Sequence, residues 1–429
     1  MPTALLQDNG IQMDDHAAHG WYRFVLSFPP HLVGHYLEKF GIDRQHLVLD
    51  PFCGTGTTLV ECKKRGIPSV GVEANPVAAF ASRVKVNWRP SPDGLREHAE
   101  KVGGLARSRL EETGISDEVF FNNPDPDVLR KLSTESRDLL LTGSVSPLPL
   151  HKVLVLRDCM DASEDARFAD HERLAFASTA VADASNLRFG PEVGVGKRKE
   201  DAAVVGPWDR RVKQICEDLR SLEAEREIPA QVLCADARDL SGALPARSVD
   251  FVFTSPPYPN EKDYTRTTRL ELVLLGFVTN KAELRALKQT LVRSNTRGVY
   301  KVDRDDDAVA SHAAIQRIAE RIEARRQELG KTSGFERMYA RVTKLYFGGM
   351  ARHLEALRPL LKPGAVLAYV VGDQASYLRI MIRTGELLAD IAQGLGYSVL
   401  DIDLFRTRFA TATAEQLREE VVLLRWEGA

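Results

Sequence analysis

No stretch of the chain is apolar for the roughly 18 to 20 residues that a membrane span requires, and Met1 to Asp15 contain no basic segment followed by an apolar run. A cytoplasmic location is the expectation. The five cysteines, Cys53, Cys62, Cys159, Cys216 and Cys234, are odd in number, scattered and free of any CxxC or Cys/His spacing. Neither a disulfide framework nor a metal site is implied. Net charge is lacking too: 58 Lys and Arg stand against 60 Asp and Glu, so attraction for a polyanion would have to come from local patches. No internal repeat or low-complexity tract interrupts the 429 residues, enough for one large domain with insertions or for two domains.

What is present is an alternation of short apolar runs and helical patterns. Leu47 to Asp50, Ser69 to Glu73 and Gln231 to Asp236 end in acidic or polar residues, and Val249 to Thr254 leads into Ser255-Pro256-Pro257-Tyr258. These read as buried parallel strands, which lack polar alternation and carry functional residues at their ends. Ala365 to Val371 is a fifth strand, and Ser398 to Phe405 with Glu420 to Trp426 form an antiparallel hairpin with a long connection. Helical patterns cover Thr57 to Arg65, Asn75 to Val86, Met350 to Leu361 and Thr384 to Leu395. The fold class is α/β, a doubly wound, mostly parallel sheet with its ligand at the strand C-termini.

Two stretches break the rhythm and read as largely helical insertions. The chain divides into a cofactor half of the core at 1–89, an insertion at 90–229, the core with its SPPY loop at 230–258, a basic insertion at 259–346, and the C-terminal core at 347–429. Either insertion is a candidate target-recognition region. Ser185 to Val205 reads as a mobile loop, and Asp303 to Asp307 as a solvated turn.

Asp50-Pro51-Phe52-Cys53-Gly54-Thr55-Gly56-Thr57-Thr58 sits where the first strand turns into the first helix. Gly54 and Gly56 let the backbone bend sharply and approach a ligand closely. The turn lacks the Gly-Lys-Ser/Thr of phosphate loops, and Leu59 stands where the dinucleotide pattern has its third glycine. At the next strand tip, followed by Ala74, Glu73 is placed to accept hydrogen bonds from both hydroxyls of a ribose. Asp236 is placed to accept from an adenine amino group, with the Ala237 N–H beside it.

Ser255-Pro256-Pro257-Tyr258 is the most specific feature. Consecutive prolines fix φ and remove N–H donors, leaving rigid carbonyl acceptors. Such acceptors suit an exocyclic amino nitrogen, whose delocalised lone pair makes it a poor nucleophile towards a methyl sulfonium. The Pro256 carbonyl and the Ser255 hydroxyl or carbonyl are assigned to that nitrogen, and the Tyr258 ring to stacking on a base turned out of its helix. Attack through ring carbon C5 would need a cysteine after a proline, and no Pro-Cys pair occurs.

From Glu261 to Arg304, ten basic residues face five acidic ones. Tyr264, Arg266, Arg269, Arg293 and Arg297 are the candidate DNA contacts of that patch.

These residues together resemble the amino-group DNA methyltransferases, of the type that carries SPPY. The likeness covers the segment Trp21 to Phe40, the DPFCGTGTT turn, the acidic strand tips, TSPPY and the C-terminal strands. It implies a seven-stranded Rossmann-like sheet, S-adenosylmethionine as cofactor, double-stranded DNA as partner, and no metal. Phe28-Pro29-Pro30 resembles the segment that packs around the methionine part of the cofactor. Serine at the head of the tetrapeptide is typical of cytosine-N4 enzymes and aspartate of adenine-N6 enzymes, so the expectation is cytosine N4, with a cognate restriction endonuclease as a further partner. Adenine-N6 methylation, guanine-N2 methylation of RNA and an idle DNA-binding scaffold are the alternatives.

Overall fold

A computed structural model describes residues 15–22, 28–119, 124–190, 192–260, 262–410 and 415–428. Seven strands form one sheet: β1 (Val48–Asp50), β2 (Ser69–Val72), β3 (Ala230–Leu233), β4 (Val249–Thr254), β5 (Leu361–Gly372), β6 (Tyr397–Ala410) and β7 (Glu415–Trp426). Their order across the sheet is β3-β2-β1-β4-β5-β7-β6. The first five run parallel and β7 pairs antiparallel with both β5 and β6. One reversed strand therefore lies between two that point the same way. β1 and β2 are buried along their whole length, as apolar strands covered on both faces must be.

The principal helices are α1 (Pro30–Lys39), α2 (Thr57–Lys64), α3 (Pro76–Lys85), α4 (Pro92–Glu111), α5 (Pro147–Ala162), α6 (Ala169–Thr179), α7 (Val205–Ser221), α8 (Lys281–Thr290), α9 (Ala313–Glu328), α10 (Tyr339–Leu357) and α11 (Thr384–Gly394). Local chemistry sets several starts. Asn75 caps α3, its side chain accepting from the Val77 N–H with Pro76 at the first position, and Ser91 caps α4 by accepting from the Gly94 N–H ahead of Pro92. α10 begins eleven residues before the expected Met350, because Val342, Leu345 and Tyr346 continue its apolar face into the core.

Residues 90–229 supply α4 to α7. Their apolar faces share one cluster with Leu59, Val60, Phe80 and Val84 of α2 and α3, so this insertion thickens the helical layer on one side of the sheet. Trp21 donates to Asp218 (2.7 Å) and Tyr22 to Glu271 (2.5 Å), stitching the N-terminal segment to both insertions.

Two expectations fail here. The stretch from Ser185 is anchored: Leu187–Arg188 pair with Gly194–Val195, and the Asn186 side chain binds the Gly143 carbonyl and the Lys199 N–H. Asp303 and Asp305 are buried rather than solvated, because Arg293 pairs with the first, and Arg238 and Arg352 with the second. The strands of the final hairpin are also longer than expected, running to Ala410 and resuming at Glu415.

Candidate active site

Parallel strands β1, β2 and β4 deliver their C-terminal tips to one edge of the sheet, and the loop after β3 joins them. A cavity of about 360 Å³ lies there. Its wall includes Phe28, Pro29, Phe52, Cys53, Gly54, Thr55 and Thr57 from the N-terminal side, Glu73, Ala74, Asp236 and Ala237 from the next tips, and Ser255, Pro256, Pro257 and Tyr258 after β4. Residues Lys262 to Tyr264 and Leu291 to Asn295 close it from the second insertion. The glycine bend and the proline pair thus face a common space.

Gly54 and Gly56 have separate tasks. Gly54 has φ of 49°, and a Cβ built on it meets nothing within 4 Å, as a backbone surface kept bare for a ligand would have it. Gly56, with φ of 89°, does not border the cavity; a Cβ there would lie 2.6 Å from the Ser82 hydroxyl. Its absent side chain lets α2 close on α3. Asp50 likewise stands behind the wall. Fully buried, it accepts from the Thr254 hydroxyl at 2.6 Å and from the Phe52 N–H at 3.1 Å, while its second oxygen has no partner among the described residues. Burial pushes this carboxyl up to about 6.

Glu73 spans the turn. One oxygen accepts from the Gly54 N–H (3.0 Å) and the other from the Asn75 N–H (2.7 Å). Burial pushes its carboxyl up to about 7, although those two N–H groups favour the ionised form. Each oxygen keeps a lone pair for a ligand hydroxyl. Asp236 differs from expectation in being already engaged, since Arg238 grips both its oxygens. Arg238 also binds Asp305 from the second insertion, and although burial works against its charge, the two carboxylates hold its ionisation above the ordinary value. Beneath the loop, His353 bonds the Ala237 carbonyl (2.9 Å) and the Tyr369 hydroxyl (2.7 Å) and meets the Phe52 ring edge-on. Burial lowers it to about 4, so it is a neutral support. Burial pushes the Cys53 thiol well up, which removes it as a nucleophile.

The Ser255 hydroxyl donates to the Val370 carbonyl at 3.1 Å. With its proton directed there, the oxygen keeps its lone pairs as acceptors, and the Tyr258 side chain lies within hydrogen-bonding reach of it. The Tyr258 ring lies against Gly372, where any Cβ would come within 3.1 Å of it. The Tyr258 N–H donates to the Tyr264 hydroxyl (3.4 Å), and burial raises Tyr264 to about 12.

The arginines of the basic stretch divide. Arg293, expected at phosphates, is buried and commits all five N–H groups, to Asp303 and to the carbonyls of Lys288, Gln289 and Leu291. Arg269 is turned inward to Thr265 and to the Leu139 carbonyl of the first insertion. Arg266 is half-buried, with its Nε unpartnered among the described residues. Arg297 is exposed, near Glu192 and over the Phe335 ring. Arg238, His353 and Asn295 were not singled out from sequence. Arg238 stands two residues from a recognised acid, whereas nothing local marks the other two.

A seven-stranded sheet with one reversed strand, a bare glycine bend and an acceptor loop on one cavity define the Rossmann-like methyltransferase class. Sequence comparison narrows this. The family described as DNA methylase, of the N6 and N4 methyltransferases, matches residues 9–81. The Type II methyltransferase M.BsoBI of Geobacillus stearothermophilus is 24% identical over 435 residues, covering 95% of this chain and 84% of its own. M.AvaI of Nostoc sp. (strain PCC 7120), also a Type II methyltransferase, is 25% identical over 408 residues, 88% of this chain and 79% of its own. The chain is thus similar to the amino-group DNA methyltransferases, and it is a methyltransferase.

Among solved structures, TrmN of Thermus thermophilus aligns over 92% of this chain and 48% of its own at 11% identity, with a TM-score of 0.28. The rRNA methyltransferase aviRa of Streptomyces viridochromogenes aligns over 99% and 93% at 11% identity, with a TM-score of 0.32. The fold assignment rests on the strand order itself. No helix of the described residues is long and apolar enough to cross a membrane.

Proposed function

We propose that the protein methylates the exocyclic N4 of cytosine in duplex DNA, taking the methyl from S-adenosylmethionine, as the modifying half of a restriction-modification pair. The reading is carried by one observation: the bare Gly54 bend and the Ser255–Tyr258 acceptor loop line the same cavity. The residues present fit the cofactor. Glu73 offers a fixed carboxylate to a ribose diol, Phe28, Pro29 and Phe52 offer apolar walls, and the open space at Gly54 admits a ligand against the backbone. When bound, the cofactor supplies an electrophilic methyl on a positively charged sulfur.

The chain's own work is orientation. The Pro256 carbonyl and the lone pairs of the Ser255 oxygen receive hydrogens of the amino group, drawing its nitrogen towards tetrahedral geometry and opposing the positive charge that develops as it attacks. Tyr258, backed by Gly372, stacks on the extruded base and holds it at the depth of the acceptors. Serine rather than aspartate at position 255 favours cytosine over adenine, and the Type II relatives favour a restriction-modification setting. Digestion of methylated DNA to nucleosides, with chromatographic separation before mass spectrometry, tests the reading. N4-methylcytosine is the expected product, and N6-methyladenine would replace the proposed base.

A further inference from the structure

Asn295 borders the cavity from the second insertion and is 8% exposed. Its amide nitrogen donates to the Lys262 carbonyl at 3.0 Å. Turning the amide over would set its oxygen against that carbonyl, acceptor on acceptor, so the orientation is fixed. The oxygen Oδ1 then has no partner among the described residues. Buried acceptors are rarely left so.

The surroundings hold it in place. Arg293 is locked by its five bonds, the Ser294 carbonyl accepts from the Tyr377 hydroxyl at 2.9 Å, and Lys262 lies four residues beyond Tyr258 on the same loop. Asn295 is therefore tied, through Lys262, to the chain segment that follows the acceptor loop, and it shares the cavity wall with Ser255 to Tyr258.

Resting on the methyl-transfer reading, we infer that Asn295 is a specificity-determining residue whose Oδ1 accepts an N–H from the exocyclic amino group of the extruded base. Cytosine and adenine offer one donor group on their pairing edge, the amino group, and it carries two hydrogens. The Pro256 carbonyl takes one of these hydrogens, and the Ser255 oxygen and Asn295 Oδ1 share the other in a three-centre bond, so the group is held from two separate chain segments. A base with a carbonyl in its place sets oxygen against oxygen and is rejected, because a buried acceptor that meets another acceptor loses its solvation without compensation.

The test uses the full-length protein and two duplexes, one carrying the sequence it methylates and one with uracil replacing the target cytosine, or hypoxanthine replacing a target adenine. The ratio of the two affinities is measured for the parent, Asn295→Ala and Asn295→Asp, with cofactor affinity as the check on folding. Comparing ratios between proteins cancels the altered pairing strength of the second duplex. Asn295→Ala is expected to reduce the preference for the amino-bearing base at least fivefold while cofactor affinity stays within twofold. Asn295→Leu fills the space and is read instead should the alanine variant lose cofactor affinity. Asn295→Asp keeps an acceptor towards the base and, because burial against the Lys262 carbonyl favours its protonated form, a donor towards that carbonyl, and is expected to retain the preference within twofold. An unchanged ratio in the acceptor-less variant, or an equal loss in Asn295→Asp, overturns the inference while methylation by the parent stands. Absence of methyl incorporation by the parent overturns the underlying reading as well.

Discussion

The Asp50 carboxylate accepts a 2.6 Å hydrogen bond from the Thr254 hydroxyl, and through that contact the strand ending in the glycine bend is fastened to the strand ending in the acceptor loop. Thr254→Val removes the shortest of the Asp50 hydrogen bonds and leaves it the Phe52 N–H and the neighbouring Thr58 hydroxyl. A loss of about 1–3 kcal/mol in stability is expected from a buried carboxyl deprived of that donor, measured by urea denaturation, together with slower methyl transfer at saturating cofactor.

Asp50 also sets a pH dependence. Its carboxyl, raised by burial to about 6, favours the folded state while it is protonated in both states, below about pH 4. That contribution is lost as pH rises through 6. Relative to Asp50→Asn, the parent is expected to lose about 3 kcal/mol of unfolding free energy between pH 4 and pH 7. Parallel denaturation curves at both pH values check the direction.

Glu73 predicts the opposite slope for binding. Its carboxyl sits at about 7 through burial, and a ribose diol donates to the ionised form. Cofactor affinity is expected to rise by up to about tenfold per pH unit below 7 and to level off above it. Glu73→Gln is expected to bind weakly and to flatten the profile, as calorimetry from pH 6 to pH 8 would register.

The two glycines of the turn separate stability from binding. Gly54→Ala is expected to weaken cofactor binding at least tenfold, since the new methyl enters open cavity, and to cost about 1 kcal/mol in stability from a left-handed alanine at φ of 49°. Gly56→Ala drives a methyl into Ser82 at φ of 89° and is expected to cost about 1–3 kcal/mol in stability.

Arg297 and Arg293 divide the basic stretch in the same manner. Arg297→Ala, altering an exposed side chain, is expected to reduce the slope of log affinity for DNA against log salt by about 1 without destabilisation. Arg293→Ala strands the buried Asp303 and is expected to destabilise by about 3–5 kcal/mol. Fluorescence anisotropy across a salt series and thermal melting distinguish the two.

These pairs also mark what the linear sequence disclosed. The turn at Gly54, Glu73 and the Ser255–Tyr258 loop are legible because each couples an apolar strand to a short run whose residue types already dictate backbone shape or charge. The parallel run of the first five strands follows from the same alternation, whereas their order across the sheet does not. Arg293 and Asn295 are opaque, because their partners, Asp303 and Lys262, lie 10 and 33 residues away across loops. Nothing short of the folded chain decides which arginine turns inward. Asp236 was legible as an acid at a strand tip, but its capture by Arg238, itself oriented by Asp305 67 residues on, was not. Ionic networks between insertion and core depend on packing that no local period encodes.

The most direct test of the account is single-turnover methyl transfer from labelled S-adenosylmethionine to unmethylated duplex DNA by the parent and by a Ser255→Ala, Tyr258→Ala double variant, with cofactor affinity measured alongside. The account predicts cofactor affinity within twofold of the parent and a transfer rate reduced at least a hundredfold. A double variant that transfers methyl at the parent's rate would contradict it.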